Sequence, residues 1–189
     1  MVGIGASAGG LEAFKRFLVT IPEFSGMAYV FVQHLSPEHE SALSLILSKI
    51  SKIPVEEINA DTHLQPDHLY VIPANKMLST SNGMLKIQAR NESNYNIKTI
   101  DHFFSSLGIV HQAFAVGVVL SGTLNDGSLG LSVIKAHGGV TFAQDPETAT
   151  YGDMPKNAIK AGVVDFVLPP EKIYAKLSEI NHRFYCPTQ

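Results

Sequence analysis

The first ten residues constrain the fold more than any other stretch of this chain. Residues 2–5 have the composition of a short buried strand, and they run directly into Gly5-Ala6-Ser7-Ala8-Gly9-Gly10. Glycine and alanine at such a turn let the chain reverse tightly and let another molecule approach the backbone. Apolar side chains from Leu11 to Leu18 then recur at helical spacing. The pattern predicts a strand, a tight turn that exposes the Ser7 hydroxyl, and a helix over residues 9–20.

The rest of the chain alternates between segments typical of strands and segments typical of helices. Such alternation predicts a parallel sheet with helices on both faces. Further strands are predicted at 28–33, 55–58, 115–120, 140–143 and 165–168, and further helices around 43–50, 100–110, 129–137, 154–160 and 170–181. Thr99 is the predicted N-cap of the helix that begins at residue 100.

The middle of the chain breaks this alternation. Short strand candidates lie at 68–72, 76–79 and 84–87, and Asn82-Gly83 between the last two is a strong hairpin turn signal. The expected fold is therefore α/β, a doubly wound and mostly parallel sheet with helices on both faces and a small inserted antiparallel hairpin. We expect a single catalytic domain over residues 1–182 and a C-terminal tail over 183–189.

Composition narrows the class of protein. The chain has 189 residues, 45% of them apolar and 16% charged, which is enough for one domain with a well-buried core. A net charge of −3 offers no broad basic face, so nucleic acid is not expected as a partner. The single cysteine, Cys186, fits a reducing compartment. No apolar run is long enough to insert in a membrane and no leader is visible, so we expect the cytoplasm.

Two further expectations follow from what the sequence contains. Its eight histidines form no pattern of metal ligands, so neither a metal nor another cofactor is expected. Because Met1 directly adjoins the first predicted strand, the chain is expected to be an excised piece of a longer protein.

Polar residues that directly follow predicted strands are the first candidates for chemistry, because sites in open α/β sheets lie beyond the carboxyl ends of the strands. Ser7 follows the first strand and Gln33-His34 the second. Residues 121–127, which include Asp126, follow the strand at 115–120, and Gln144-Asp145 follows the next. A serine, a histidine and aspartates thus share one edge of the predicted sheet, as an acyl-transfer triad requires.

Each member of this predicted triad has a physical role. The Ser7 hydroxyl is a weak nucleophile until a base removes its proton, and the His34 imidazole titrates near neutrality. The Asp126 carboxylate would fix the imidazole tautomer and stabilise the cation that forms. Backbone N–H groups after Ser7, at the start of a helix, would stabilise an oxyanion.

Structural roles explain the same residues one at a time. Ser7 alone is typical of a helix N-cap, His34 of a polar strand end, and Asp126 of a turn. Asp145 is a rival for the acid, although Pro146 after it favours a turn or N-cap role. His39 is a reserve candidate for the base. The joint placement at strand ends is what favours the triad.

Other motifs fit the opening segment less well. Gly3, Gly5 and Ala8 match a loose dinucleotide-binding fingerprint, but that motif needs an acidic residue where Gln33-His34 stands. Residues 5–9 also match the nucleophile elbow of α/β-hydrolases. Those enzymes place several strands before the elbow and follow the order Ser, Asp, His, so their chemistry fits this chain but their fold does not. A P-loop is excluded because no Gly-Lys-Ser/Thr follows the glycines.

Six motifs in the same order carry a family resemblance. They are 5–10 (GASAGG), 33–34 (QH), 68–73 (HLYVIP), 100–104 (IDHFF), 120–127 (LSGTLNDG), and 143–145 (AQD) with 154–159 (MPKNAI). Together they resemble the catalytic domain of chemotaxis protein-glutamate methylesterases of the CheB type, over nearly the whole chain. The pattern is most similar to esterase domains that are fused to a receptor methyltransferase domain.

The resemblance implies an activity and its residues. Ser7 matches the family's nucleophile, His34 its general base and Asp126 its orienting acid. The implied reaction is hydrolysis of glutamate γ-methyl esters on the cytoplasmic helices of methyl-accepting chemoreceptors, with deamidation of certain receptor glutamines, through an acyl-serine and without a cofactor. Covalently linked regulatory or methyltransferase domains, absent from this chain, are implied as partners. Backbone N–H groups of Ala8 and Thr123 are the oxyanion candidates.

The chain departs from the family pattern at two places. Thr123-Leu124 replaces the usual Met-Gly before Asn-Asp-Gly, and Ala8 replaces the usual threonine after the serine. The first change motivates an alternative, a docking or regulatory domain of the same fold with weakened catalysis.

Overall fold

The structure is a computed structural model that describes residues 1–33, 40–73, 75–91, 93–94 and 96–185. Residues 40–42 and 182–185 are described by their backbone alone. The strands are β1 (Val2–Ala6), β2 (Tyr29–Gln33), β3 (Val55–Glu57), β4 (Thr62–His63), β5 (Leu69–Val71), β6 (Lys76–Ser81), β7 (Met84–Ala89), β8 (Val116–Val119), β9 (Val140–Gln144) and β10 (Phe166–Leu168). The α-helices are α1 (Gly10–Leu18), α2 (Glu40–Ser48), α3 (Thr99–His111), α4 (Ser128–Ala136), α5 (Asp153–Lys160) and α6 (Pro170–Tyr185).

In the described part of the chain, seven parallel strands form the main sheet in the order β10-β9-β8-β1-β2-β5-β3. β1 is central and fully buried, which explains its run of small and branched apolar residues. From β1 the chain moves outward through β2 on one side, and later returns to β8 on the other. β1 and β8 therefore flank a topological switch point, where open α/β sheets bind their ligands.

Two apolar layers cover the faces of this sheet. One contains side chains of α1, α2 and α6, and Phe14 of α1 stacks on Phe31 of β2 with 3.9 Å between ring centroids. The other contains side chains of α3, α4 and α5, among them Phe104, Ile134 and Ala158. The predicted doubly wound arrangement, with helices on both faces, is confirmed.

The inserted antiparallel unit is larger than predicted. β6 and β7 form the expected hairpin around Asn82-Gly83, and Gly83 takes φ +76° as such a turn requires. β4 adds a third strand through two residue pairs with β7. A two-residue strand has too little periodicity for a sequence pattern to show it.

One predicted cap is wrong. Thr99 is the first residue of α3, and the N-cap position belongs to Lys98, which makes no side-chain capping bond. The acceptor for the free N–H groups of α3 comes from Asp126, far along the chain. Helix α6 also continues to Tyr185, beyond the predicted end near residue 181.

Candidate active site

The segment that follows β1 forms a tight turn into α1. Ser7 lies in this turn, half-buried, and its carbonyl accepts a hydrogen bond from Gly10 N at 2.9 Å. The N-cap of α1 is Gly9, whose φ of +70° favours glycine, and no side chain among the described residues caps the helix. The Ser7 hydroxyl is therefore not the N-cap of α1.

The segment that follows β8 is tied directly to this turn. Ser7 N donates to Ser121 O at 3.0 Å, and the buried Ser121 hydroxyl donates to Ala8 O at 2.8 Å. The same hydroxyl accepts from Tyr151 N at 3.0 Å, and Ser121 N donates to Gln144 Oε1 at 2.9 Å. One serine thus joins the ends of β1, β8 and β9 with the loop that precedes α5.

Gly122 lets the two segments approach closely. A Cβ atom at residue 122 would lie 2.9 Å from Ser7 Cβ and would collide with the Met154 sulfur. Only a residue without a side chain fits between the serine turn and α5 in this arrangement.

Asp126 lies in the same post-β8 segment and is 5% exposed. Its Oδ2 accepts from Ile100 N at 3.1 Å, and its Oδ1 accepts from Asp101 N at 2.8 Å. These donors are free N–H groups of the first turn of α3, where the helix dipole favours negative charge. The carboxylate is thereby held in a fixed orientation.

Asp101 returns the same interaction to the helix that follows Asp126. Its carboxylate accepts from Gly130 N, in the first turn of α4, at 2.8 Å. Burial, and then the nearby charge of Asp126, raise the pKa of Asp101, while the backbone donors act in the opposite direction.

The two oxyanion candidates are the backbone N–H groups of Ala8 and Thr123. No acceptor for the backbone N–H of Ala8 or of Thr123 is found among the residues that the structure describes. Leu124, after Thr123, takes φ +66° and is 76% exposed. Its carbonyl accepts from Asn157 Nδ2 at 2.7 Å, which fastens this part of the loop to α5.

The predicted base, His34, and the reserve candidate, His39, lie outside the described residues. The neighbouring Gln33 ends β2, and its Nε2 donates to Ser7 O at 3.4 Å. The hydrogen bonds of Ser121 bring Ser7 and the segment that carries Asp126 together. The role of His34 stays a prediction.

Asp145, the rival acid, caps a short 3₁₀ helix at residues 146–148 and accepts from Glu147 N at 3.0 Å. Its predicted turn or N-cap role is confirmed. Within the described ranges, no three His, Cys, Asp or Glu side chains are grouped as metal ligands. No helix in the described part of the chain has the length and apolar character that a bilayer crossing requires.

Sequence reasoning assigned no role to three buried polar residues at this site, Asp101, Ser121 and Gln144. A signal for each was present. Ser121 and Gln144 occur at the ends of strands whose other residues are apolar, and Asp101 stands in a helix turn beside Ile100 and Phe103, both core residues. Polar side chains in such settings are expected to have specific hydrogen-bond partners.

Comparison with known proteins agrees with this geometry. The sequence profile of the CheB methylesterase family matches residues 2–177. A crystal structure of the Thermotoga maritima CheB methylesterase catalytic domain superposes with a TM-score of 0.85 at 28% identity, covering 95% of this chain and 97% of that one.

Sequence relatives carry related names. A putative protein-glutamate methylesterase/protein-glutamine glutaminase of Leptospira interrogans is 35% identical over 171 residues, which is 90% of this chain and 89% of the relative. The Desulfotalea psychrophila protein-glutamate methylesterase/protein-glutamine glutaminase is 33% identical, and the match spans 49% of its length. With its fold, its serine turn and its profile all in agreement, this chain belongs to the CheB methylesterase family.

Proposed function

We propose that this chain is a serine esterase that removes methyl groups from glutamate γ-methyl esters of chemoreceptors and also deamidates receptor glutamines. The observation that carries the proposal is the direct attachment of the Ser7 turn to the Ser121–Asp126 segment at the switch point of the sheet. The family match over residues 2–177 supports the choice of ester.

The proposed reaction begins with attack of Ser7 Oγ on the ester carbonyl carbon. His34 removes the hydroxyl proton and returns it to the methoxy oxygen, so methanol leaves and an acyl-serine remains. Water, activated by the same imidazole, then hydrolyses the acyl-serine and releases the glutamate carboxylate. Asp126 orients the imidazole and stabilises its charged form.

The proposed oxyanion donors are the backbone N–H groups of Ala8 and Thr123. Ala8 precedes Gly9, the N-cap of α1, and the positive end of this helix favours negative charge nearby. Each well-placed donor of this kind contributes roughly 3 kcal/mol to the stability of the transition state.

The proposed substrate defines the partners and the compartment. Methyl-accepting chemoreceptors carry their methylated glutamates on cytoplasmic helices, so the chain would act in the cytoplasm. The match spans about half the length of several relatives, which fits covalently linked regulatory or methyltransferase domains as further partners.

The test compares Ser7→Ala with Ser48→Ala, a matched change at an exposed serine of α2. Ser7→Ala should abolish both methanol release from methylated receptor and labelling by a fluorophosphonate, with an unchanged circular dichroism spectrum. Ser48→Ala should match the unsubstituted chain in every measurement. Methanol release that survives Ser7→Ala would refute the proposal.

A docking or regulatory domain with weakened catalysis is the second candidate. Leu124 favours it, because a leucine at φ +66° stands where the family usually has glycine beside an oxyanion candidate. Fluorophosphonate labelling of Ser7 together with methanol release would exclude this candidate. Absence of both, in a chain that binds receptor, would establish it.

A further inference from the structure

We propose that Asp101 is a positioning residue for the esterase reaction, because it holds the start of α4 in place and thereby fixes the carboxylate of Asp126. The proposal rests on the proposed function, in which Asp126 orients the base. It concerns a residue that does not touch the substrate and acts through another side chain.

The carrying observation is a reciprocal pair of caps between two helices. Asp126, just before α4, accepts from two N–H groups of the first turn of α3. Asp101, in that first turn, accepts from Gly130 N at the start of α4. Asp126 therefore satisfies donors at the start of α3, and Asp101 satisfies a donor at the start of α4, the helix that follows Asp126.

The helices lie too close for a small shift to be harmless. A Cβ atom at residue 130 would lie 3.1 Å from both Asp101 Cα and Asp101 O, and would collide with Phe104 Cβ. Movement of α4 at this point therefore changes the position of the segment that carries Asp126.

Burial makes this linkage hard to replace. Asp101 is 7% exposed and Asp126 is 5% exposed, so water has little access to the donors. Two carboxylates close together in a buried site repel each other, and each is desolvated. Each carboxylate nevertheless accepts from buried N–H groups at the start of the neighbouring helix, so loss of either carboxylate leaves a donor in a site with little water.

The expected consequence for the reaction is a loss in rate. A triad acid that moves by about 1 Å through a distant substitution can cost on the order of 100-fold in rate. Asp101→Ala leaves Gly130 N without its acceptor, whereas Asp101→Asn keeps an oxygen that can accept from it.

The experiment measures kcat and KM for methanol release from methylated receptor, in the full chain at a temperature where every variant is folded. Asp101→Ala should lower kcat by roughly 10- to 100-fold with little change in KM. Asp101→Asn should recover most of that loss. The control is Asp67→Ala. Asp67 lies just before β5, and its carboxylate accepts from Ser25 N and Gly26 N. This substitution should lower stability but leave kcat unchanged.

Amide hydrogen exchange at Ile100 supplies a readout that does not depend on activity. Faster exchange in Asp101→Ala is expected, because Asp126, which accepts from the Ile100 N–H, is no longer held in place. Unchanged kcat in Asp101→Ala, or an equal loss in Asp67→Ala, would overturn the proposal. If Asp101→Ala does not fold, Asp101→Glu moves the carboxylate by one methylene, and an unchanged kcat there overturns it equally.

Failure of the proposed function gives a different result. The unsubstituted chain would then release no methanol, while exchange at Ile100 would still show whether Asp101 fixes the α3–α4 junction. Unchanged exchange in Asp101→Ala and Asp101→Glu would overturn the positioning role in that case.

Discussion

Asp126→Ala tests whether the predicted catalytic acid also stabilises the fold. The substitution removes the acceptor of Ile100 N and Asp101 N, and Ile100 is fully buried. The donors would remain inside the protein with no replacement in the described structure. The stability of this variant therefore distinguishes a residue with a catalytic role alone from one that also caps a helix.

The magnitude follows from the two lost bonds. A hydrogen bond to a charged group contributes about 1.5–3 kcal/mol, so two bonds contribute roughly 3–6 kcal/mol. Relief of repulsion with Asp101 and of carboxylate burial offsets part of this, which leaves about 2–4 kcal/mol of destabilisation. For a chain of this size that corresponds to a fall in Tm on the order of 10 °C.

The assay is urea unfolding followed by circular dichroism, because the chain has no tryptophan. Asp145→Ala is the matched control, since it removes one exposed capping bond, to Glu147 N. It should cost about 1 kcal/mol or less. An Asp126→Ala variant that is destabilised no more than this control would refute the capping argument. Any role of Asp126 would then be limited to activity.

Two other perturbations have defined outcomes. Gly122→Ala should lower both Tm and fluorophosphonate labelling, because the added Cβ would collide with Met154. The control, Gly162→Ala, lies in open space at φ +72° and should lower Tm alone. Equal labelling of the two variants would contradict the predicted effect of Gly122→Ala on the serine turn. Burial alone would raise the pKa of Asp165, but hydrogen bonds led by the Lys135 ammonium outweigh it and hold that pKa below its usual range. This stabilisation is present above the unfolded-state pKa of about 3.9 and is lost as pH falls through the folded value, so Asp165→Asn should lower the unfolding free energy at neutral pH and converge with the unsubstituted chain in acid. A pH-independent difference in urea titrations would show that the carboxylate is not the cause.

The sheet and one edge of the site could be predicted from the sequence because both depend on local patterns. The apolar run of β1, the glycine-rich turn after it and the polar segment after β8 are each visible within about ten residues. The rule that strand ends meet at one edge then places Ser7 near the Asp126 segment without any knowledge of side-chain packing.

The connections between distant segments could not be predicted in this way. The cap of α3 belongs to Asp126 and not to Thr99, because the way α3 packs on α4 brings the carboxylate to the helix end. Ser121 shows the same limit, since its hydroxyl joins residues that are 113 and 30 positions away. No pattern of spacing along the chain encodes such contacts.

The position of β1 has a consequence for biosynthesis. β1 pairs with β2, the next strand to be synthesised, but its other edge stays open until β8 emerges more than a hundred residues later. A nascent chain therefore exposes a hydrophobic strand edge, which is prone to intermolecular association. Ser7 likewise gains Ser121 as a hydrogen-bond partner only after the segment that follows β8 has been synthesised, so the proposed active site forms late in translation.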